Sequence, residues 1–188
     1  MVDFCTNANK MNTQEVLDYC KSHTTEFLKR AVELKSLPID KLTRKDTAES
    51  WSVLECLEHL NLYADFYNPA IRDANKNSKQ PAQEKFMSGW LGGYFAKSML
   101  PKEKLNKMKT FKDKNPIYAA LDSSTIDRFI AQQNEFLTLL NAAEKVNLNT
   151  TKTPVTISKL IRLKLGDTFL FLVNHNIRHF TQLEKVLR

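Results

Sequence analysis

The segment NHNIRHFTQLE, residues 174–184, sets His175 and His179 four residues apart, in a chain of 188 residues with only four histidines. On an α-helix, four residues turn the side chain by about 40°, which stacks the two imidazoles one turn apart on one face. Their stripe also carries Thr168, Leu172, Gln182, Leu183 and Val186, whereas Asn174, Thr181, Glu184 and Lys185 fall on the opposite side. Both histidines therefore face inward. Burying imidazoles among leucine and valine is costly unless their nitrogens find partners. A metal ion supplies one, and histidines at i and i+4 on a helix are a recurring two-ligand unit. A third ligand must come from elsewhere in the chain. His59 stands at the edge of another apolar helical face, near Cys56, Tyr63 and Phe66. His23 stands near Cys20 and Phe27. Taken alone, either is more often a hydrogen-bonded core histidine than a ligand.

Four stretches have the periodicity of long helices that could carry such residues. The first spans about 12–36, with Val16, Cys20, Phe27, Ala31 and Leu34 on one stripe, Leu17, Thr24 and Leu28 beside it, and Asn12 with Glu15 as a cap pair. Pro38 ends it, because the residue before a proline avoids helical geometry. The second spans about 52–75. Its SVLE start reads as a capping box with Ser52 at the N-cap and Glu55 at N3, and Trp51 and Cys56 occupy the staple positions around it. Pro69 predicts a kink or a late break there. A polar linker and the aromatic stretch FMSGWLGGYF follow, the latter with three of the four glycines, read as a packed excursion or short helix. The third helix spans about 125–146, with Ile126, Phe129, Ile130, Phe136, Leu137 and Leu140 as its core. The segment 147–166 is expected to hold a short helical turn near Ser158. The fourth helix is expected to begin at Asp167 as the cap after Gly166, and to run to the end of the chain. The predicted fold class is all-α, a four-helix bundle with long connections, in one domain over 1–188.

Composition narrows the function. Four glycines and six prolines in 188 residues disfavour a many-turned β fold. Three cysteines, Cys5, Cys20 and Cys56, are an odd number without metal-site spacing, as expected of reduced thiols in a cytoplasmic protein. The start MVDFCTNANK lacks the apolar region of a secretory signal, and the longest wholly apolar run, Phe169 to Val173, is far short of the roughly 20 residues that span a bilayer. The net charge of +7 is concentrated between Lys97 and Lys114, where seven lysines face only Glu103 and Asp113. Only Phe111 interrupts that run as an aromatic, and no nucleic-acid motif is present. The segment reads chiefly as solvated surface, with a phosphate-binding or anionic-partner surface as the alternative, and no nucleic-acid or membrane partner is expected.

WSVLECLEHL (51–60), a Trp-Ser helix start followed by His-Leu, and NHNIRHFTQLEKVL (174–187), of the form HxxRHxxQ, stand in this order over 100 residues apart. Together they resemble the DinB/YfiT-like superfamily of metal-dependent helical proteins, and the likeness in helix layout covers most of the chain. The resemblance implies a bundle in which one histidine of the second helix and two of the fourth hold a divalent metal, here His59, His175 and His179. His23 matches no ligand position and is assigned a structural role. Three neutral nitrogen ligands suit zinc or nickel and leave a position open, the pattern of a catalytic site. Characterised members of the superfamily include transferases and an isomerase that depend on low-molecular-weight thiols. The resemblance thus implies a thiol-dependent S-transferase acting on a small electrophile, and a homodimer is in keeping with relatives. Two alternatives stand beside it: a metal-dependent hydrolase, and a non-catalytic helical binding or stress-response module with a vestigial site.

Four neighbours are candidate pocket residues. Gln182 shares the histidine stripe and would orient a ligand or serve as a core amide. Arg178 flanks the stripe and is read chiefly as an internal ion pair, with substrate carboxylate binding as the alternative. Glu55 lies one turn before His59, where the capping box already explains it and a role behind the ligand is the alternative. Tyr63 lies one turn after His59, as a buried aromatic or a pocket wall. Cys56 reads as a small core residue.

Overall fold

The computed structural model describes residues 10–101 and 110–188. Lys102, Lys104, Lys107 and Lys109, the middle of the lysine-rich segment, lie outside those residues, as does Cys5. Lys97 and Lys112 are exposed, whereas Lys114 is half-buried. The described residues form six α-helices: α1 Thr13–Leu34, α2 Ile39–Thr43, α3 Val53–Lys76, α4 Trp90–Met99, α5 Ser124–Ala142 and α6 Leu165–Val186. Two small antiparallel pairs accompany them, β1 (Met11–Asn12) with β2 (Lys85–Phe86) and β3 (Lys152–Val155) with β4 (Ser158–Lys164). The fold is all-α in class, as predicted. No described helix is long and apolar enough to cross a membrane.

Helices α1, α3, α5 and α6 are the bundle. Each of α1 and α3 packs on both α5 and α6. Their directions follow from the cross-contacts. Tyr19 donates to Asn174 Oδ1 at 3.0 Å and Arg30 to Glu184 Oε1 at 2.5 Å, so α1 and α6 run parallel. Lys21 pairs with Glu144 and Lys35 with Asp127, so α5 opposes α1. Helices α3 and α5 are parallel and share one register: the side-chain amides of Asn61, Asn68 and Asn75 donate to the carbonyls of Thr125, Gln132 and Leu139 at 3.0–3.1 Å. Seven residues are nearly two helical turns, so three asparagines at this spacing stay on one face and clamp one helix to the other. Parallel α3 and α5 require the long crossover that residues 77–123 supply.

Several starts form as the sequence predicts. Asn12 caps α1, its Oδ1 accepting from the amides of Gln14 and Glu15, and the Ser52/Glu55 capping box is complete. The remaining differences have physical causes. The segment after Pro38 forms α2. Helix α3 runs through Pro69 without the expected break; the asparagine bonds on both sides of the proline hold the chain against α5, offsetting the one backbone bond a mid-helix proline removes. Trp51, at the staple position before the cap, also lays its ring against His59. The helical turn expected near Ser158 is the β3–β4 hairpin. Thr153 and Val155 are buried while Lys152 is exposed, the two-residue alternation of a pleated strand in a run rich in β-branched residues.

The fourth helix departs most from its expected form. It begins at Leu165, and every residue from Leu165 to Asn176 is buried. Asn174, placed on the outer side by periodicity, is buried because α4 lies across α6, where Asn174 donates to the Ala96 carbonyl at 2.9 Å. Asp167 does not cap its own helix. It accepts from Ser88 Oγ (2.6 Å) and the Gly89 amide (2.9 Å), fixing the start of α4. Gly92 makes this docking close: a Cβ there would meet Asp167 Oδ2 at 2.4 Å and its Cβ at 2.5 Å. Gly92→Ala is therefore expected to push α4 from α6 and cost about 1–3 kcal/mol, the range for an overpacked contact, read as a lower urea midpoint at unchanged slope.

Candidate metal centre

His59 lies in the second turn of α3, and His175 and His179 lie one turn apart on α6, which runs antiparallel to it. The structure brings all three together. His175 Nε2 is 3.1 Å from His59 Nε2 and 3.1 Å from His179 Nε2, and the three ligating nitrogens lie within 4.8 Å of one another. All three residues are buried. Among the described residues this is the one cluster of three or more potential metal-ligating side chains.

The proton positions follow from the outer nitrogens. His59 Nδ1 sits 2.6 Å from the carbonyl of Lys114, and a carbonyl only accepts, so Nδ1 carries the hydrogen. His179 Nδ1 is 3.1 Å from Gln182 Oε1 and donates likewise. Burial first, then the neighbouring positive charges, lowers the pKa of each ring: His59 to about 4, with Lys114 as the charge, and His175 and His179 well below the usual value, with Arg178 contributing to both. The rings are therefore neutral, and His59 and His179 turn bare Nε2 lone pairs toward His175. His175 can donate through Nε2 to only one of them. Its other nitrogen, Nδ1, is buried and has no hydrogen-bond partner among the described residues.

Three imidazoles alone thus leave a lone pair facing a lone pair. A cation resolves the conflict by accepting all three pairs, with the third proton on His175 Nδ1. The spacing fits as well: nitrogens about 2.0–2.1 Å from a shared tetrahedral ion lie about 3.3 Å apart. The Lys114 carbonyl and Gln182 are the outer hydrogen-bond acceptors that ligating histidines usually have.

The other candidates take distinct places. Gln182 orients His179. Tyr63 packs its ring 4.9 Å from His59 and 4.5 Å from His175, and burial pushes its phenol up to about 12. Arg178 is buried beside the cluster, and burial lowers its guanidinium from its ordinary value. Glu55 does not touch the cluster. One carboxylate oxygen completes the capping box and the other accepts from Lys45 (2.6 Å) and the Tyr118 amide (2.9 Å). Burial raises its pKa and these bonds outweigh that, leaving it below the usual carboxylate value. His23 lies apart from the three, 3.1 Å from Glu26. Cys20 and Cys56 are free buried thiols, pushed up by burial. Sequence reasoning missed two parts. Trp51 lies tilted at 4.7 Å from His59 and stacked at 5.7 Å from His179, and the Lys114 carbonyl is a main-chain atom with no side-chain signature.

The sequence model of the DinB superfamily matches residues 21–183, and the chain belongs to that superfamily. No curated protein and no solved structure matches it.

The lowered histidine pKa values fix a pH dependence for the metal-free protein. The unfolded chain takes up protons as pH falls through about 6.5, whereas the folded histidines stay neutral, so stability is lost with acidity. The loss is expected between pH 6.5 and about 4, the value for His59, and reaches roughly 3 kcal/mol from that residue alone. Calorimetric melts across this range check it, and a His175→Ala/His179→Ala variant should show a flatter dependence.

Proposed function

We propose that this DinB-superfamily chain is a metal-dependent enzyme in which His59, His175 and His179 hold one divalent cation, zinc or nickel, and that it transfers a low-molecular-weight thiol to a small electrophile. One observation carries the metal reading: three buried neutral imidazoles converge through Nε2, and Lys114 and Gln182 hold the proton of two of them on the far nitrogen. Three protein ligands leave a coordination position open. A cation there supplies Lewis acidity, lowering the pKa of a thiol or water that occupies the position.

The chain's own residues favour the thiol. The ligands are neutral, and the nearby charges of Lys114 and Arg178 that act on the rings are positive. Such a centre draws an anionic ligand. No carboxylate joins the histidine cluster among the described residues, and both oxygens of Glu55 are engaged in bonds elsewhere. A cation would acidify a bound water as well as a bound thiol, and toward a soft carbon electrophile the thiolate is the stronger nucleophile. Trp51 and Tyr63 pack their rings against His59 at 4.7 and 4.9 Å. In the transfer, the sulfur–carbon bond forms as the bond from that carbon to its leaving group breaks. The leaving group departs with the electron pair and the thiol proton goes to solvent.

Metal content of tag-free protein, measured by mass spectrometry, tests the reading. Wild type is expected to hold about one equivalent, and His59→Ala and His175→Ala to lose it while helix content by circular dichroism persists. Full occupancy in either variant would remove that residue from the ligand set. The loaded protein should then consume a thiol against a chloronitroaromatic probe. Ester hydrolysis without thiol consumption would favour the hydrolase instead.

A further inference from the structure

Glu55 has two oxygens with different tasks. Oε2 accepts from the Ser52 amide at 2.8 Å and closes the capping box. A capping box needs nothing more of the glutamate. Oε1 is nonetheless fully employed, accepting from Lys45 Nζ at 2.6 Å and from the Tyr118 amide at 2.9 Å. Lys45 comes from the connection between α2 and α3, and Tyr118 from the connection before α5. The side chain of Glu55 is only 4 % exposed, so this is a mostly desolvated charge that depends on all its donors.

Tyr118 is held in an uncommon conformation. Its φ is 64°, in the left-handed region, where a side-chain-bearing residue is disfavoured, and it is the one non-glycine residue of positive φ among those described. Tyr118 is 73 % exposed, so core packing does not impose that geometry. It is the third residue of a turn over 116–119 that the Ala119 amide closes on the Pro116 carbonyl at 2.9 Å, and beyond that turn it is held by the amide bond to Glu55 and by Lys45 Nζ, 5.0 Å from the ring centroid. Backbone held in a disfavoured region persists where surrounding structure over-determines it.

The same segment carries the acceptor of the histidine centre. Residues 112–114 form a 3-10 turn, Pro116 is buried, and the Lys114 carbonyl meets His59 Nδ1 at 2.6 Å. Glu55 meets Tyr118 and His59 meets Lys114, so the segment runs antiparallel along one turn of α3, fixed at both ends. We propose that Glu55 is a positioning residue for the histidine centre: by seating Tyr118 it registers the 114–118 segment, so that the Lys114 carbonyl holds the proton of His59 on Nδ1 and leaves Nε2 free to ligate. The step to metal affinity rests on the reading of His59, His175 and His179 as metal ligands; the effect on the His59 proton does not.

Nitrogen-15 NMR of the His59 ring in the metal-free protein at neutral pH tests this directly, beside zinc affinity from chelator competition. Ser52→Ala weakens the same helix cap without touching Tyr118 and is the control. Wild type and Ser52→Ala are expected to show the single Nδ1–H tautomer. Glu55→Ala is expected to show an added Nε2–H population and about tenfold weaker zinc binding, the scale for losing an outer-sphere partner. A single Nδ1–H tautomer in folded Glu55→Ala would overturn the proposal. Should Glu55→Ala fail to fold, Glu55→Asp keeps the charge in the first turn but withdraws it by one methylene. It should show the same mixed tautomers, and an unchanged His59 spectrum there would be equally fatal. If wild type binds no zinc, the metal reading fails by itself and the tautomer comparison still decides the role of Glu55.

Discussion

Each neutral imidazole has two nitrogens and one proton, and at this centre the places of two protons are already taken. Lys114 and Gln182 draw them to the Nδ1 atoms of His59 and His179, which leaves two bare Nε2 atoms directed at a third, 3.1 Å from each. Protonation could relieve the repulsion by turning acceptors into donors, but burial opposes charge on every one of the rings. Water could relieve it only by opening the interior. A positive ion relieves it without either cost. The rest of the structure depends on keeping that arrangement tight, since a relaxed cluster of histidines would rotate away and satisfy its nitrogens separately.

The helices hold the arrangement from two directions. His175 and His179 belong to a helix with every residue buried from Leu165 to Asn176, because α4 covers the side that the bundle does not. Gly92 and Asp167 make that covering helix approach closely, and Asp167 serves the start of α4 rather than that of its own helix. On the other side, α3 presents His59 to α6 while Asn61, Asn68 and Asn75 tie it to α5 in a fixed register. A helix fixed this way has little freedom to slide or turn, and ligand geometry is best preserved on such elements.

What could be read from the sequence follows from how local each signal is. The capping box and the Asn12 cap are contacts within four residues, and both form as spelled out. The pairing of His175 with His179 is a property of one helical turn. The placement of His59 beside them rested on a family resemblance, because no local pattern tells one lone histidine from another such as His23. Features that depend on a neighbour were hidden. Asn174 looked outward because periodicity knows nothing of α4. Asp167 looked like a cap for the helix that contains it, and its real partners are 78 and 79 residues away. The hairpin at 152–164 was legible in its alternation but was overshadowed by the helical character of the chain. The asparagines at seven-residue spacing were visible too, and their meaning needed α5 beside them.

The Lys114 carbonyl sets the deepest limit, and it explains why Glu55 is built as it is. The side chains that meet the three histidines, such as Tyr63 and Gln182, sit mostly on α3 or α6, whose geometry backbone hydrogen bonds enforce. Lys114 contributes a main-chain oxygen from a connection that, among its described residues, holds one short 3-10 helix, 112–114. Such a segment has many conformations of similar energy, and ordering it costs on the order of 1–2 kcal/mol per residue in backbone entropy. Its position must therefore be imposed from outside. A carboxylate does this well because one oxygen can serve the helix end while the other reaches the segment, so the cap that starts α3 also sets the distance from α3 to the chain that lies along it. Four residues separate Glu55 from His59, and four separate Lys114 from Tyr118. That matched spacing lets one helical turn dictate the register of an irregular segment, and through it which nitrogen of His59 faces the centre.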